Sequence, residues 1–304
     1  MSAEKNLIIL LIILLVSCGE DPKKDEVTNQ SPLSEMEGFW NRIGTIQVVN
    51  GTPVDTLLFK DSENNKDFRQ VKVYKDGNIV WLHNRKSETP WGGGNGGYGK
   101  YTVNSETSLT EHMAAGTGMM AYWIENTKDS LNVSSMDVTL NVNYKDDKFS
   151  QINGPNVEFM EYWERMPILN SKATKFDGAW KRVYEIAYIN DTPVDTLAVP
   201  SDVILDVKIM TNGRYAFQVD QTGNSEVDTR QYGGLGGYGH YDYNEENNIL
   251  KEYTVFGSGW NVTNNEEGQR ENFQTHEIKF YNDDLFIQVD KSNVGMVRVE
   301  EATG

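Results

Sequence analysis

The chain has 304 residues, with 28 Lys and Arg against 45 Asp and Glu and a formal net charge of -17 at neutral pH. Basic side chains scattered through so acidic a background form no clustered cationic surface, which excludes nucleic acid as a partner and disfavours attachment to anionic headgroups by charge. The length suggests about two domains of ~150 residues, and a single cysteine, Cys18, excludes an internal disulfide, so stability must come from a packed core.

In chain order, the first element is the unbroken apolar run Leu7–Val16, preceded by Lys5 and followed by Ser17-Cys18-Gly19. It is too short for a transmembrane helix, which needs about 20 apolar residues, and has the layout of a signal peptide. Leu15-Val16-Ser17-Cys18 resembles the bacterial lipobox. The resemblance implies a signal peptide over 1–17, cleavage before Cys18, and a diacylglycerol on the Cys18 thiol that makes the membrane a partner. Residues 18–37 are polar and nearly free of apolar side chains, the composition of a disordered tether. The early pair Glu20-Asp21 resembles tags that export lipoproteins to the outer face of the Gram-negative outer membrane. The expected location is therefore the cell envelope.

Beyond the tether the chain repeats itself. Gly38-Phe39-Trp40-Asn41-Arg42 returns as Gly178-Ala179-Trp180-Lys181-Arg182, and Thr52-Pro53-Val54-Asp55-Thr56-Leu57 returns unchanged as Thr192–Leu197, both at an offset of 140. The segment Gly93–Tyr101 matches Gly233–Tyr241 at the same offset. Later, Leu109-Thr110-Glu111-His112 matches Leu250-Lys251-Glu252-Tyr253, and Arg165-Met166 aligns with Arg298-Val299 on the shared arginine. Each copy is long enough to be a domain, giving repeat 1 over 38–166, a linker over 167–177 and repeat 2 over 178–304.

Within each copy the apolar rhythm has period two, as in Val71-Lys72-Val73-Tyr74 before Gly77 and Val207-Lys208-Ile209-Met210 before Gly213. Asp76-Gly77 and Asn212-Gly213 are hairpin-turn signals, because a type I′ turn needs positive φ at both central residues. Ser135–Val142 and His276–Phe280 read as further strands, and no sustained i, i+3, i+4 stripe predicts a helix. About eight strands per copy predict an all-β protein of two tandem antiparallel up-and-down β-barrels, with a sandwich as the alternative. Gly-x-Trp on the opening strand and an Arg near the closing strand resemble lipocalin-like domains of bacterial lipoproteins. That resemblance implies barrel closure by Gly38, Trp40 and Arg165 in one copy and by Gly178, Trp180 and Arg298 in the other.

The glycine-rich segments satisfy G-x-G-x-x-G, yet a strand follows them rather than a helix, so they are no dinucleotide fingerprint. One reading makes them rim loops that present Trp91, Tyr98 and Tyr101, and Tyr232, Tyr238 and Tyr241, to an apolar or amphipathic ligand. The other makes the tyrosines packing and the glycines relief from strand crowding. Glu111-His112 has the look of an acid/base pair, but only the Glu recurs, as Glu252. The four histidines, His83, His112, His240 and His276, have no metal-ligand spacing, and Asp146-Asp147 and Asp283-Asp284 fit turns better than calcium loops. No metal or cofactor is expected. Asp55-Thr56-Leu57 and Asp195-Thr196-Leu197 resemble O-glycosylation sites of some exported bacterial proteins. The expectation is a non-catalytic envelope lipoprotein that holds a small apolar or amphipathic ligand in its barrels; the alternative is a docking lipoprotein with solid barrels.

Overall fold

The computed structural model describes residues 35–64, 67–86, 93–117, 119–153, 158–189, 192–198, 203–221, 235–258, 267–290 and 296–303. Cys18, Trp91 and Tyr232 lie outside the described residues. The first copy contains β1 (Gly38–Val49), β2 (Thr52–Leu58), β3 (Gln70–Lys75), β4 (Asn78–Lys86), β5 (Gly93–Ser105), β6 (Ser108–Thr117), α1 (Met119–Leu131), β7 (Met136–Lys145), β8 (Lys148–Asn153) and β9 (Phe159–Arg165). The second contains β10 (Gly178–Ile189), β11 (Thr192–Ala198), β12 (Val203–Thr211), β13 (Arg214–Gln221), β14 (Leu235–Asn244), β15 (Ile249–Ser258), β16 (Gln274–Asn282), β17 (Leu285–Asp290) and β18 (Met296–Ala302).

The protein is all-β in architecture, and each copy forms one antiparallel sheet with neighbours in chain order apart from its second strand. In the first copy β1 also pairs with β9, which closes an eight-strand barrel. β2 stands outside that ring, because β1 pairs with β3 over Gly38–Asn41 and with β2 over Gly44–Val49. The second sheet curls in the same order, and β10 pairs with β18. Its β15–β16 stitching is short, confined to Ile249–Glu252 opposite Gln274–Glu277. The predicted hairpins form as expected: Asp76 and Gly77 have φ of 48° and 72°, and Asn212 and Gly213 have 57° and 77°.

α1 is a helix that the period-two reading does not anticipate. Its buried stripe is short, chiefly Ala121 and Ile124, and too brief to stand out as a 3.6-residue rhythm. Ile124 joins the core cluster that contains Met113, and Lys128 Nζ donates to the Ala114 carbonyl at 3.0 Å, so α1 is fastened along β6.

β3 and β4 are buried on both faces. Lys72 and Tyr74 turn into the first barrel, whereas Val71, Val73, Val80 and Leu82 join Phe39 and Tyr98 in a cluster with Val207, Ile209, Ala216, Tyr238 and Phe256 of the second copy. One apolar seam thus runs between the copies. It is bridged in the same way from each side: Asn78 Nδ2, at the start of β4, donates to the Thr303 carbonyl at 3.2 Å, and Arg214 Nη2, at the start of β13, donates to the Pro167 carbonyl at 3.0 Å. Such reciprocal contacts are those of an isologous dimer interface built within one chain.

Candidate functional site

The floor of each sheet is an aromatic plug hung on one hydrogen bond. Trp40 Nε1 donates to the Met36 carbonyl at 2.7 Å, and Trp180 Nε1 donates to the Phe176 carbonyl at 2.8 Å. Phe149 meets Trp40 edge-on with centroids 4.8 Å apart, as Phe286 meets Trp180 at 4.7 Å. Arg165 lies over the Trp40 ring at 4.2 Å and donates to the Glu37 carbonyl at 2.6 Å and to Asp147 at 2.7 Å. Gly38 has φ of 118°, and a Cβ there would come within 3.1 Å of the Arg165 guanidinium, so the glycine both permits the turn and clears the arginine. Alignment on the shared arginine requires a correction: register places Ala302, not Arg298, opposite Trp180, while Arg298 faces Glu185 and Gln288. Closing strands are matched by their hydrogen-bond partners, and the Arg-to-Arg match slips by four positions from that pairing.

Above the plug each sheet carries a buried charge pair. In the first barrel Lys72 Nζ sits 2.8 Å from Glu111 Oε1 and 3.1 Å from Gln151 Oε1, and the Tyr74 hydroxyl donates to the same Glu111 oxygen at 2.6 Å. Gln151 Nε2 donates to Glu161 at 2.6 Å, and Glu161 also accepts from Trp163 Nε1 at 3.2 Å and pairs with Arg42 at 3.2 Å. The barrel interior is therefore a continuous polar network with an aromatic floor. In the second copy Lys208 Nζ pairs with Glu252 Oε1 at 2.7 Å, and Arg182 pairs with Asp206 at 2.6 Å. Burial raises the Glu252 carboxyl, but Lys208 and His276 outweigh it and hold the group well below its ordinary range. The sequence repeat exposes Glu111 and Glu252, and the lysines recur as Lys72 and Lys208 in matching strands, a signal as regular as that of the glutamates.

The predicted aromatic rim separates into two other places. Tyr98 and Tyr238 are buried in the seam. Tyr101 stacks edge-on against Tyr74 at 5.0 Å inside the first barrel, and Tyr241 is buried in the second floor, where its hydroxyl donates to Asp177 at 2.9 Å. Burial pushes the Tyr101 hydroxyl up to about 12 and raises that of Tyr241 further. These four tyrosines pack the body in two separate places, which corrects the rim expectation for them. The glycines answer to crowding. Both sheets shift register at Gly99 and Gly239, where a Cβ would strike the His112 and Tyr253 carbonyls. At Gly97 it would come within 2.6 Å of the Trp81 indole nitrogen. Gly96 leaves room for Gln218 Nε2 to cross the seam and donate to the Trp81 carbonyl at 2.9 Å.

The histidines occupy four unlike settings. His83 stacks on Trp81 with centroids 6.1 Å apart. His112 lies 3.1 Å from the Thr102 hydroxyl and 2.9 Å from Asp137, with Ser135 donating to the same carboxylate at 2.8 Å. The hydrogen bond from His112 holds the Asp137 carboxyl below its ordinary value. This hydroxyl–imidazole–carboxylate row runs across the open outer face of β5, β6 and β7, and the second copy has Asp242 and Tyr253 where Thr102 and His112 stand, so it reads as a cross-strand polar ladder. His240 is buried in the seam 3.1 Å from Glu267, which also pairs with buried Arg214 and accepts from the Tyr238 hydroxyl at 3.1 Å. Burial raises the Glu267 carboxyl, but His240 and Arg214 bring it down to about 2. Among the described residues no group of three metal-ligating side chains comes together.

One opening lies on the outside of the first barrel. A groove of about 370 Å³ runs between the outer face of β1 and β9 and the segment after β2, lined by Asn41, Ile43, Leu58, Phe59, Phe68 and Arg69, with Lys60, Lys148 and Glu164 around it. Phe59 sits in a single 3-10 turn and meets Phe68 edge-on with centroids 5.1 Å apart. Arg42 lies over the Phe59 ring at 5.4 Å and also reaches Gln70 and Glu161, so the groove wall is continuous with the polar interior. Apolar rings beside lysine and arginine make this an amphipathic surface.

No family model matches the chain, and no curated protein matches it. Among solved structures, the crystal structure of the uncharacterised protein YLR301w from Saccharomyces cerevisiae is similar at 10% identity with a TM-score of 0.40, covering 88% of this chain and 98% of that one. A superposition that loose carries no argument.

Proposed function

We propose that this chain is a non-catalytic cell-envelope lipoprotein, held to the outer membrane through acylated Cys18, whose body is two lipocalin-like up-and-down barrels and which binds an amphipathic small molecule in the outer groove. The observation that carries the reading is that groove: its volume of about 370 Å³ falls in the ~300–1,000 Å³ range of small-molecule sites, and it sets Phe59 and Phe68 beside Lys60, Arg69 and Lys148. The interior of the first barrel is a poor host for an apolar ligand, because insertion would break the Lys72–Glu111 pair and its hydrogen bonds. The site moves from inside the barrel to its flank, and the ligand class narrows to an apolar ring or chain with an anionic end.

Titration with a naphthalene sulfonate tests it. The parent should bind one equivalent saturably, and Phe59→Ala and Arg69→Glu should each weaken binding about tenfold or more, the equivalent of ~1.4 kcal/mol. Equal binding by the parent and both variants overturns the groove assignment. For the anchor, Cys18→Ser should move the protein from the membrane fraction to the soluble one; unchanged fractionation defeats that part.

A second reading is favoured by the hexapeptide Thr52–Leu57, repeated unchanged as Thr192–Leu197. β2 lies outside the barrel ring and is exposed almost throughout, with Val54 at 56% and Leu57 at 48%, so core packing does not account for its identity in the two copies. A partner protein that reads both strips would. Photo-crosslinkers at Val54 and Val194 in living cells should then capture the same adduct, and none if the strips bind nothing.

A further inference from the structure

The outer groove continues past the crossing of β1 and β9. A second hollow of about 310 Å³ opens beside it toward the seam, with Met166, Pro167 and Leu169 on its floor and Arg214 and Glu267 at its edge. The two hollows share Asn41 and Glu164, which face each other across β1 and β9. Ile43 lines the groove, Asn41 stands at the junction, and Met166, whose amide donates to the Phe39 carbonyl at 2.9 Å, lines the seam hollow. Between Ile43 and Phe39 the strand advances ~13 Å at ~3.3 Å per residue, so a ligand that fills both hollows is an extended chain about four residues long.

Each part of this path asks for a different group. The groove sets Phe59 and Phe68 beside Lys60 and Arg69, surroundings that suit an apolar side chain next to a carboxylate. The seam hollow has an apolar floor, fixed because the Leu169 amide donates to the Asn212 carbonyl at 3.1 Å and Arg214 Nη2 donates to the Pro167 carbonyl at 3.0 Å. Its charges are already matched, Arg165 with Asp147 and Arg214 with Glu267, so it takes an uncharged side chain.

The junction is polar. Asn41 is partly buried, and among the described residues nothing hydrogen-bonds its side-chain amide, while Glu164 pairs with Lys148 at 3.4 Å. An alkyl chain laid across the junction would cover that amide without giving it a partner, which is unfavourable. A peptide unit supplies both the acceptor and the donor that an asparagine amide needs. Lys181 stands in place of Asn41 in the second copy, so this complementarity belongs to the first copy alone.

We infer that the joined cleft binds a short apolar peptide of about four residues. Its free C-terminal carboxylate lies at Lys60 and Arg69, one peptide unit lies on Asn41, and an apolar side chain packs against Met166 and Leu169. Charge sets this direction, since Glu164 and Glu267 disfavour a carboxylate at the junction and at the seam end. The assignment rests on the groove as a ligand site; it names the anionic ligand as a peptide and adds the seam hollow to the site.

Displacement of the naphthalene sulfonate from the full chain tests it. The acetylated tetrapeptide Leu-Ala-Ala-Phe with a free carboxylate should displace the dye competitively. Its C-terminal amide, and acetylated Ala-Phe, which is too short to reach the seam hollow, should each bind about tenfold more weakly or worse. Leu169→Ser, in the seam hollow, should weaken the tetrapeptide about tenfold and leave dye binding unchanged. Dye that binds saturably but is not displaced by the tetrapeptide overturns the peptide assignment and leaves the groove standing. Absence of both dye binding and tetrapeptide binding removes the two together. Decanoate that displaces the dye as well as the tetrapeptide does overturns the assignment in favour of an alkyl chain. Equal affinity of the tetrapeptide and its amide overturns the placement of the carboxylate. Should Leu169→Ser fail to fold, the two peptide lengths decide on the parent chain: equal affinity overturns the part given to the seam hollow.

Discussion

Replacing Lys72 by Met removes one half of an ion pair whose side chains are 3% and 6% exposed. Glu111 then keeps only the Tyr74 hydroxyl, Gln151 loses a donor at 3.1 Å, and a carboxylate stays buried without its counter-charge. Breaking a buried pair in this way costs about 3–5 kcal/mol, whereas replacing both partners by apolar groups of similar volume is close to neutral. Lys72→Met should therefore lower the melting temperature by ~6–20 °C, at ~2–4 °C per kcal/mol for a body of this size. Lys72→Met combined with Glu111→Leu should recover most of the loss and stay within about 2 kcal/mol of the parent, the residue being the Tyr74 hydroxyl left without its acceptor. Urea denaturation followed by tryptophan fluorescence is the assay, because Trp40 and Trp163 belong to the adjoining core cluster. A double variant that loses at least the sum of the two single losses would refute the reasoning, since it would mean that the two side chains stabilise independently.

Arg165→Ala removes the cation over Trp40 and the hydrogen bonds to Glu37 and Asp147, and should cost ~2 kcal/mol by denaturant melt; a loss below ~0.5 kcal/mol would make the clamp incidental. Ile209→Ala, in the seam, should cost ~2–4 kcal/mol and shift a single calorimetric transition that also unfolds the first barrel, whereas two transitions of which one moves would show that the seam does not couple the copies. Glu252 and Glu267 are held below their ordinary value of 4.5 in the folded protein, so each contributes stability that is present above that pH and lost as pH falls below it. Urea midpoints from pH 7 to pH 3 should fall, and Glu252→Gln should flatten the fall; an unchanged slope rejects the linkage. Gly99→Ala should cost several kcal/mol through collision with the His112 carbonyl, while Gly51→Ala, whose Cβ meets nothing within 4 Å but which has φ of 75°, should cost only about 1 kcal/mol.

Much of the architecture is legible in the linear chain because it depends on local chemistry. Asp-Gly and Asn-Gly adopt positive φ at low cost wherever they occur, and alternation of side chains is a property of any extended strand, so the hairpins at Gly77 and Gly213 and the all-β class follow from short windows. The duplication is visible for the same reason, as repeated words need no structure to be compared. α1 escapes because its apolar stripe is two residues deep and its support comes from Met113 and the neighbouring barrel wall. The equivalence of Arg165 with Ala302 escapes because an alignment sees residue types, whereas a closing strand is placed by its hydrogen-bond ladder.

Which side of a strand is the inside is the point that only the tertiary structure decided. Val71-Lys72-Val73-Tyr74 alternates, and alternation alone suggests valines inward and the lysine toward solvent. The reverse holds: the valines turn outward into the seam with the second copy, while Lys72 turns inward because Glu111, on another strand, supplies the charge that makes its burial tolerable. The same is true of Tyr98 and Tyr238, whose place in the seam depends on the opposite copy. Periodicity records that a strand has two faces. What the outward face meets is set by segments more than a hundred residues away, and what the inward face meets by Glu111, 39 residues on, and no local preference encodes either.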